Sequence, residues 1–227
     1  MLAEDARIRP GLYRLPEDPV GPSVLVPGFV SAASVRGAFG WFSAGWIGRL
    51  SPGLAQYISR DGVSPIDFVV APVFFRAERQ TVEQAVCLTP EEASQRVVDV
   101  FRSGKADASA LAQHALDCLA WMIATGTLRL RIAIPTADSN YHPKVWLFDD
   151  GADQMLVRGS GNATARGISS GVEHFDVDVT WVGYSRQRVH DGRAILNDWS
   201  RGKSRGIERV VELPLSLIHI SEPTRPY

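Results

Sequence analysis

Residues 142–162 of this chain read HPKVWLFDDGADQMLVRGSGN, and they carry the strongest indication of its fold. The apolar run at 145–148 is bounded by Asp-Asp-Gly at 149–151, a combination typical of a buried strand that ends in a turn. A second run of strand-forming residues follows at 154–158, after a short polar connection. The spacing therefore predicts a β-hairpin.

The two ends of this hairpin carry residues that suit the binding of a small anionic group. His142 and Lys144 are two residues apart, so we expect the imidazole and the ammonium on the same face of a strand. Ser160 and Asn162 are also two apart, in a glycine-flanked turn ahead of a short helix, where backbone N–H groups attract anions. The pattern indicates that these side chains converge on one phosphodiester.

Roles for these residues follow from their reactivity. A histidine with an ordinary pKa of about 6.5 is available as a neutral nucleophile near pH 7. Attack of His142 on phosphorus would give a covalent phosphohistidine. Lys144 and Asn162 would stabilise charge on the non-bridging oxygens, and Ser160 would hydrogen-bond one of them. A carboxylate is usually needed to hold such a histidine in the right tautomer, and Glu173 is the candidate.

Each part of the pattern also has an ordinary structural explanation. A His-x-Lys pair arises often by chance, Asp149 taken alone is a typical turn residue, and Gly-Ser-Gly at 159–161 is a typical loop. Their occurrence together and in order, within about thirty residues, favours a functional site.

The stretch at 142–162 resembles the HKD motif of the phospholipase D superfamily, and in particular that of its nuclease branch. In that branch a glutamate orients the nucleophilic histidine, and Glu173 stands at the corresponding distance after Asn162. The candidate catalytic residues are His142, Lys144, Asn162 and Glu173; the substrate-binding residues are Ser160, Lys144 and Asn162; and Asp149 and Gly159 are assigned supporting roles.

The resemblance extends from about residue 12 to residue 214. Residues 35–43 resemble the first core strand of the family fold and the Ser-capped turn after it, and residues 64–73 resemble its second strand. The whole stretch is similar to the phospholipase D-like domain at the N-terminus of bacterial superfamily-two helicases of the Swi/Snf or DEAD/DEAH type. This resemblance implies an α/β/α sandwich with a mixed central sheet, DNA as the substrate, no metal ion or other cofactor, and a covalently linked helicase domain.

Members of the superfamily use two such motifs, and the second histidine serves as the general acid for the leaving oxygen. This chain has one motif, because no other histidine is followed by lysine at the second position. We therefore expect a homodimer that joins two motifs across a two-fold axis.

The composition agrees with a soluble enzyme domain, since 45% of the 227 residues are hydrophobic and 22% are charged, which is ordinary for globular proteins. The net charge of −1 does not indicate a nucleic-acid partner, so any basic surface must be local. Arginines that flank the motif strands are candidates for that surface, although solvated strand faces explain at least half of them equally well; they are Arg129, Arg131, Arg158 and Arg166.

Cysteine usage and hydropathy indicate a cytoplasmic protein. Cys87 and Cys118 lack metal-ligand spacing, and reduced thiols are the simplest interpretation. The longest apolar stretch, 115–124, is too short to span a bilayer, and no signal peptide begins the chain, so no membrane association is expected.

Elsewhere in the chain, strands alternate with helices, as in a layered α/β fold. Capping residues predict helices over 89–103 and 109–125. Alternating apolar residues predict strands over 128–134 and 175–182, and a helix is expected over 185–200.

Residues 215–227 read LSLIHISEPTRPY and do not continue the pattern that precedes them. They resemble the translated end of a sequencing adapter, which makes 1–214 the expected domain, truncated from a longer protein, and the remainder a non-native tail. A natural disordered tail is the alternative.

Three functions are compatible with the sequence. A metal-independent nuclease module of a DNA-processing or defence helicase agrees with the most observations. The alternatives are a phosphodiesterase that acts on lipid headgroups, and a non-catalytic dimerisation or DNA-positioning module of a helicase.

Overall fold

The computed structural model of the protein describes residues 1–71 and 110–212, which form helices packed around one mixed sheet. The strands are β1 (Gly11–Arg14), β2 (Ser34–Phe39), β3 (Ile66–Val70), β4 (Leu128–Pro135), β5 (Lys144–Asp149), β6 (Gln154–Gly159), β7 (His174–Val179) and β8 (Ile207–Glu212). They are ordered β1-β7-β6-β5-β2-β3-β4-β8 across the sheet. The β2–β3 and β3–β4 pairs are parallel, and the other neighbouring pairs are antiparallel.

Helices lie on both faces of this sheet. The α-helices are α1 (Val26–Ser31), α2 (Gly45–Ile58), α3 (Ala110–Ala124), α4 (Ala165–Ser169) and α5 (Gly183–Ser200). Buried side chains of α1, α2 and α3 share one apolar core with one face of the sheet, and those of α5 pack on the opposite face. The predicted α/β/α sandwich with a mixed central sheet is therefore confirmed. Within the described ranges, no helix is both long enough and apolar enough to cross a membrane.

The alternation of side chains along β5 explains why the strand is held between two helical layers. Trp146 and Phe148 are fully buried on the first face, where both contact the ring of Phe29 from α1. Leu147 points to the second face and belongs to the same cluster as Val189 of α5. Burial of each such side chain contributes about 2 kcal/mol, so the strand that follows His142 is firmly anchored.

The predicted hairpin is formed by β5 and β6, which pair from Val145 opposite Arg158 to Asp149 opposite Gln154. Its turn has Gly151 at a φ of +93°, a conformation that favours glycine. The Asp149 carboxylate accepts hydrogen bonds from the Gly151 N–H at 2.8 Å and from the Gln154 side chain. Asp149 thus stabilises the turn at one end of the hairpin.

Other predicted elements are found with shifted ends. Helix α3 matches the helix predicted over 109–125, and the helix predicted over 89–103 lies outside the described residues, as does Cys87. Strand β7 ends at Val179, earlier than predicted, because the chain turns there into α5. The expected Ser-capped turn is wrong: α2 has Ala44 at its N-cap, and the Ser43 N–H donates instead to the carbonyl of Ala163 at 3.1 Å.

Candidate active site

The motif residues other than Asp149 meet at one end of the sheet, where β5 begins and β6 ends. Because Val145 is paired with Arg158, the residues just before Val145 and just after Arg158 are neighbours. His142 does not lie on the strand, contrary to the sequence-based interpretation, since β5 begins at Lys144. Pro143 has no N–H to donate to a strand ladder, so the histidine belongs to the loop that leads into β5.

The ring of His142 lies against Gly40, the residue that follows β2. A Cβ atom on Gly40 would overlap the Nδ1 atom of His142 and would come within 2.6 Å of its Cα atom. The Gly40 N–H also donates to the carbonyl of Pro143 at 2.8 Å, which fixes the two backbones side by side. The Nδ1 side of the ring therefore faces β2, and Nε2 is turned away from it. The side chain is exposed to solvent.

Lys144 is half-buried, and its Nζ atom donates to the carbonyl of His142 at 2.9 Å. Burial lowers the pKa of Lys144 to about 8, an effect that the carboxylate of Glu173 opposes. Although His142 is largely exposed, the loss of solvent on the side of its ring that lies against the protein lowers its pKa below the ordinary value of 6.5, and the positive charge of Lys144 adds to this effect. At pH 7 the imidazole is therefore mainly neutral and the ammonium mainly charged.

Asn162 follows β6 and is held by the backbone that follows β2. Its Oδ1 atom accepts a hydrogen bond from the Trp41 N–H at 2.9 Å. The adjacent Ala163 forms a parallel bridge with Phe42. Because Oδ1 is occupied, the amide orientation is fixed, and no described residue hydrogen-bonds to Nδ2. We call residues 40–43 the clamp segment, since it contacts both the histidine loop and the asparagine turn.

Ser160 and Glu173 form a hydrogen-bonded pair beside Lys144. The Ser160 hydroxyl donates to Glu173 Oε2 at 2.5 Å and accepts from the His174 N–H at 3.1 Å. Among the described residues, no hydrogen bond joins Glu173 to His142. The orienting role of Glu173 and the substrate contact of Ser160 stay predictions, and the observed effect of the glutamate is electrostatic, on Lys144.

The two supporting residues lie in different places. A Cβ atom on Gly159 would overlap the carbonyl oxygen of His174, so glycine permits the close approach of β6 and β7 beside the site. Asp149 lies at the other end of β5 from Lys144, which separates it from His142 by the length of the strand.

Two of the four arginines proposed for a basic surface form ion pairs with aspartates on neighbouring strands. Arg131 pairs with Asp67 at 2.6 Å, and Arg158 pairs with Asp178 at 3.0 Å. Arg129 and Arg166 are exposed.

The clamp segment was not among the residues singled out as a site in the sequence. The sequence did contain an indication of this segment, because Gly40 and Trp41 lie within residues 35–43, which resemble the first core strand of the family fold and the turn after it. What the sequence does not show is that β2 pairs with β5, with Phe39 opposite Lys144. That pairing is what brings the segment to the histidine.

No protein-family model matches the chain, and no curated protein sequence matches it either. Twenty-six chains of solved structures are similar to it, and three of them serve as examples. NucT from Helicobacter pylori is 11% identical, with 84% of this chain and 94% of that chain covered and a TM-score of 0.47. The phospholipase D family member Nuc from Salmonella typhimurium is 17% identical, with 88% and 99% covered and a TM-score of 0.47.

The third similar structure is phosphatidylserine synthase from Haemophilus influenzae Rd KW20. It is 13% identical, with 85% of this chain and 36% of that chain covered and a TM-score of 0.48. All three TM-scores lie below 0.5, so the function proposed for this chain rests on its own residues.

Proposed function

We propose that this chain is a phosphodiesterase of the phospholipase D type and that its substrate is DNA. The observation that carries the proposal is the position of three groups at one end of the sheet: the His142 imidazole beside Gly40, the Lys144 ammonium that donates to the carbonyl of the same histidine, and the oriented amide of Asn162. A nucleophile beside two hydrogen-bond donors suits attack on a tetrahedral anionic phosphorus centre.

The reaction would proceed in two displacements. The Nε2 atom of His142 attacks phosphorus, the bond from phosphorus to the leaving oxygen breaks, and a phosphohistidine forms. The Lys144 ammonium and the Asn162 amide stabilise charge on the non-bridging oxygens. The histidine of a second copy of the chain, in the protonated form that the bound phosphate anion favours, donates its proton to the leaving oxygen. That histidine then takes a proton from water, which attacks phosphorus and breaks the phosphorus–nitrogen bond.

Two finer parts of the proposal rest on the sequence resemblance. The similarity of residues 12–214 to helicase-associated domains supports DNA as the substrate and a helicase as the covalently linked partner. The genomic sequence beyond codon 214 tests the second part. Helicase motifs in frame after that codon are expected, and a natural stop codon there would contradict the helicase context.

The nuclease activity is tested with His142→Ala, assayed on supercoiled plasmid and on circular single-stranded DNA, with and without EDTA. The wild-type protein should nick DNA in both conditions, and the variant should lose at least about 1,000-fold of the rate because the nucleophile is absent. The matched control is His190→Ala, which removes an exposed histidine of α5.

Other outcomes would contradict the nuclease proposal or favour one of the two alternative functions. A wild-type protein that cleaves neither form of DNA, with or without EDTA, contradicts the nuclease proposal. Hydrolysis of phospholipid vesicles in place of DNA would favour the lipid phosphodiesterase, and DNA binding without any cleavage would favour the non-catalytic module.

A further inference from the structure

A loop with three exposed cations connects α5 to β8. Arg201, Lys203 and Arg205 are exposed, whereas the glycine, serine and glycine that alternate with them are half-buried. The small residues thus face the protein and the long charged ones face solvent. We call residues 201–206 the cationic loop.

The backbone of the cationic loop is fixed by the way α5 ends. Gly202 has a φ of +65° and donates its N–H to the carbonyl of Trp199 at 3.1 Å. The Lys203 N–H donates to the carbonyl of Asp198 at 2.9 Å. These two bonds form the glycine cap that is common at helix C-termini. The cations therefore project from an anchored turn.

The cationic loop lies beside the loop that delivers the candidate nucleophile. The carbonyl of Gly206 accepts a hydrogen bond from the Thr136 N–H at 3.2 Å. The rings of Tyr141 and Trp199 pack edge to face, with centroids 6.2 Å apart. Tyr141 immediately precedes His142, so the first contact joins the cationic loop to the start of the loop that carries His142, and the second joins the end of α5, from which the cationic loop continues, to the residue before the histidine.

None of the three cations forms an ion pair with a described residue, in contrast to Arg131 and Arg158. The acidic residues nearest in sequence, Asp198 and Glu208, are themselves exposed and are not paired with the loop within the described ranges. Unpaired cations at the surface attract polyanions, and they bind phosphates with release of the condensed counterions.

We propose that the cationic loop binds the phosphate backbone of a nucleic acid on one side of His142. The proposal rests on the proposed function, because it takes the polymer held there to be the substrate of the site. It also offers a way for a chain with a net charge of −1 to hold a polyanion, since three exposed cations lie on a loop that contacts the loop carrying His142.

The test neutralises the loop with the triple variant Arg201→Gln, Lys203→Gln and Arg205→Gln. Binding of a fluorescein-labelled single-stranded oligonucleotide is measured by anisotropy over a range of salt concentrations, with His142→Ala present in every protein to prevent cleavage. Loss of three contacts should weaken binding about 100-fold near 0.1 M salt. It should also reduce the magnitude of the negative slope of log K against log salt by about two.

A matched triple variant, Arg9→Gln, Arg186→Gln and Arg193→Gln, removes the same charge from exposed positions away from the loop that carries His142. It should change the slope by less than about 0.5. An unchanged slope in the loop variant, equal losses in the two triple variants, or binding of anionic phospholipid vesicles in place of the oligonucleotide would overturn the proposal.

A second readout separates this proposal from the proposed function. With His142 intact, the loop variant should hydrolyse bis(p-nitrophenyl) phosphate as fast as the wild-type protein, because that substrate does not extend beyond the site. If the wild-type protein hydrolyses neither this diester nor DNA, the proposed function fails. The binding result still decides the role of the loop.

Discussion

At the scale of single residues, the charge of Lys144 should set the alkaline limit of activity on bis(p-nitrophenyl) phosphate, whose p-nitrophenolate leaving group needs no general acid. The ammonium can stabilise a phosphoryl oxygen only while it is protonated, and burial lowers its pKa to about 8. Raising the pH through 8 should therefore reduce kcat/KM for bis(p-nitrophenyl) phosphate, and well above pH 8 the decline should reach about tenfold per pH unit. In Lys144→Arg the guanidinium stays charged, so this alkaline decline should disappear from the pH profile even if the overall rate is lower. An identical decline in both proteins would assign it to another group.

Gly40 should be needed for the position of His142. Gly40→Ala places a methyl group where the imidazole and its backbone now lie, and a shift of about 1 Å in a reacting group costs about 100-fold in rate. We expect kcat to fall by that amount, with little change in KM for the small diester. The control is Gly48→Ala, an exposed helical position where an added Cβ meets nothing within 4 Å. It should stabilise the protein by about 0.5–1 kcal/mol and leave kcat unchanged.

At the scale of elements, the hairpin was predictable because local sequence determines it. The apolar run at 145–148 and the Asp-Gly turn specify both strands without any reference to the rest of the chain. The end of β7 was less predictable, because the apolar alternation continues through Trp181 and Val182 although the chain already turns there. Side chains that pack under a helix N-terminus and side chains in a strand look the same in sequence.

The site was only partly predictable for a related reason. Lys144, Ser160 and Asn162 are close in sequence, and their convergence follows from one hairpin. Trp41 lies far from them in the chain, and its part in the site is a backbone N–H, which carries no residue-specific signal. Its contribution depends on the pairing of β2 with β5, a long-range pairing that composition and periodicity do not specify.

Long-range contacts also determine the role of Arg131, which the sequence analysis suggested as a contact for nucleic acid. Its guanidinium binds the Asp67 carboxylate through two nitrogens and donates to the carbonyl of Ser200 at 2.6 Å, so it joins β3, β4 and the end of α5. Arg131→Ala should lower the free energy of unfolding by about 2 kcal/mol, because it leaves a mostly buried carboxylate without its partner. Urea denaturation measures this change. Arg129→Ala, an exposed position on the same strand, should change it by less than about 0.5 kcal/mol.

At the scale of the whole molecule, one motif per chain has a consequence for mechanism. The nucleophile and the general acid are both histidines in the proposed reaction, and each chain supplies one. His142 is exposed rather than enclosed, which leaves its outer side accessible to a second copy. A two-fold dimer would place each histidine opposite its counterpart, and a monomer would lack the group that protonates the leaving oxygen.

Subunit mixing tests this composite site. Differently tagged wild-type and His142→Ala chains are co-expressed in equal amounts, and the activity of the total dimer pool is measured as nicking of supercoiled plasmid, because the alkoxide that leaves from DNA needs a general acid and p-nitrophenolate does not. If both histidines serve one site, a mixed dimer is inactive and about a quarter of the wild-type activity remains, whereas independent sites would leave about half. Mixing with His190→Ala, which should be fully active, controls for the effect of the tags. Retention of half the activity, or a monomeric mass by light scattering at assay concentration, would place the general acid within the same chain and would remove the need for a dimer.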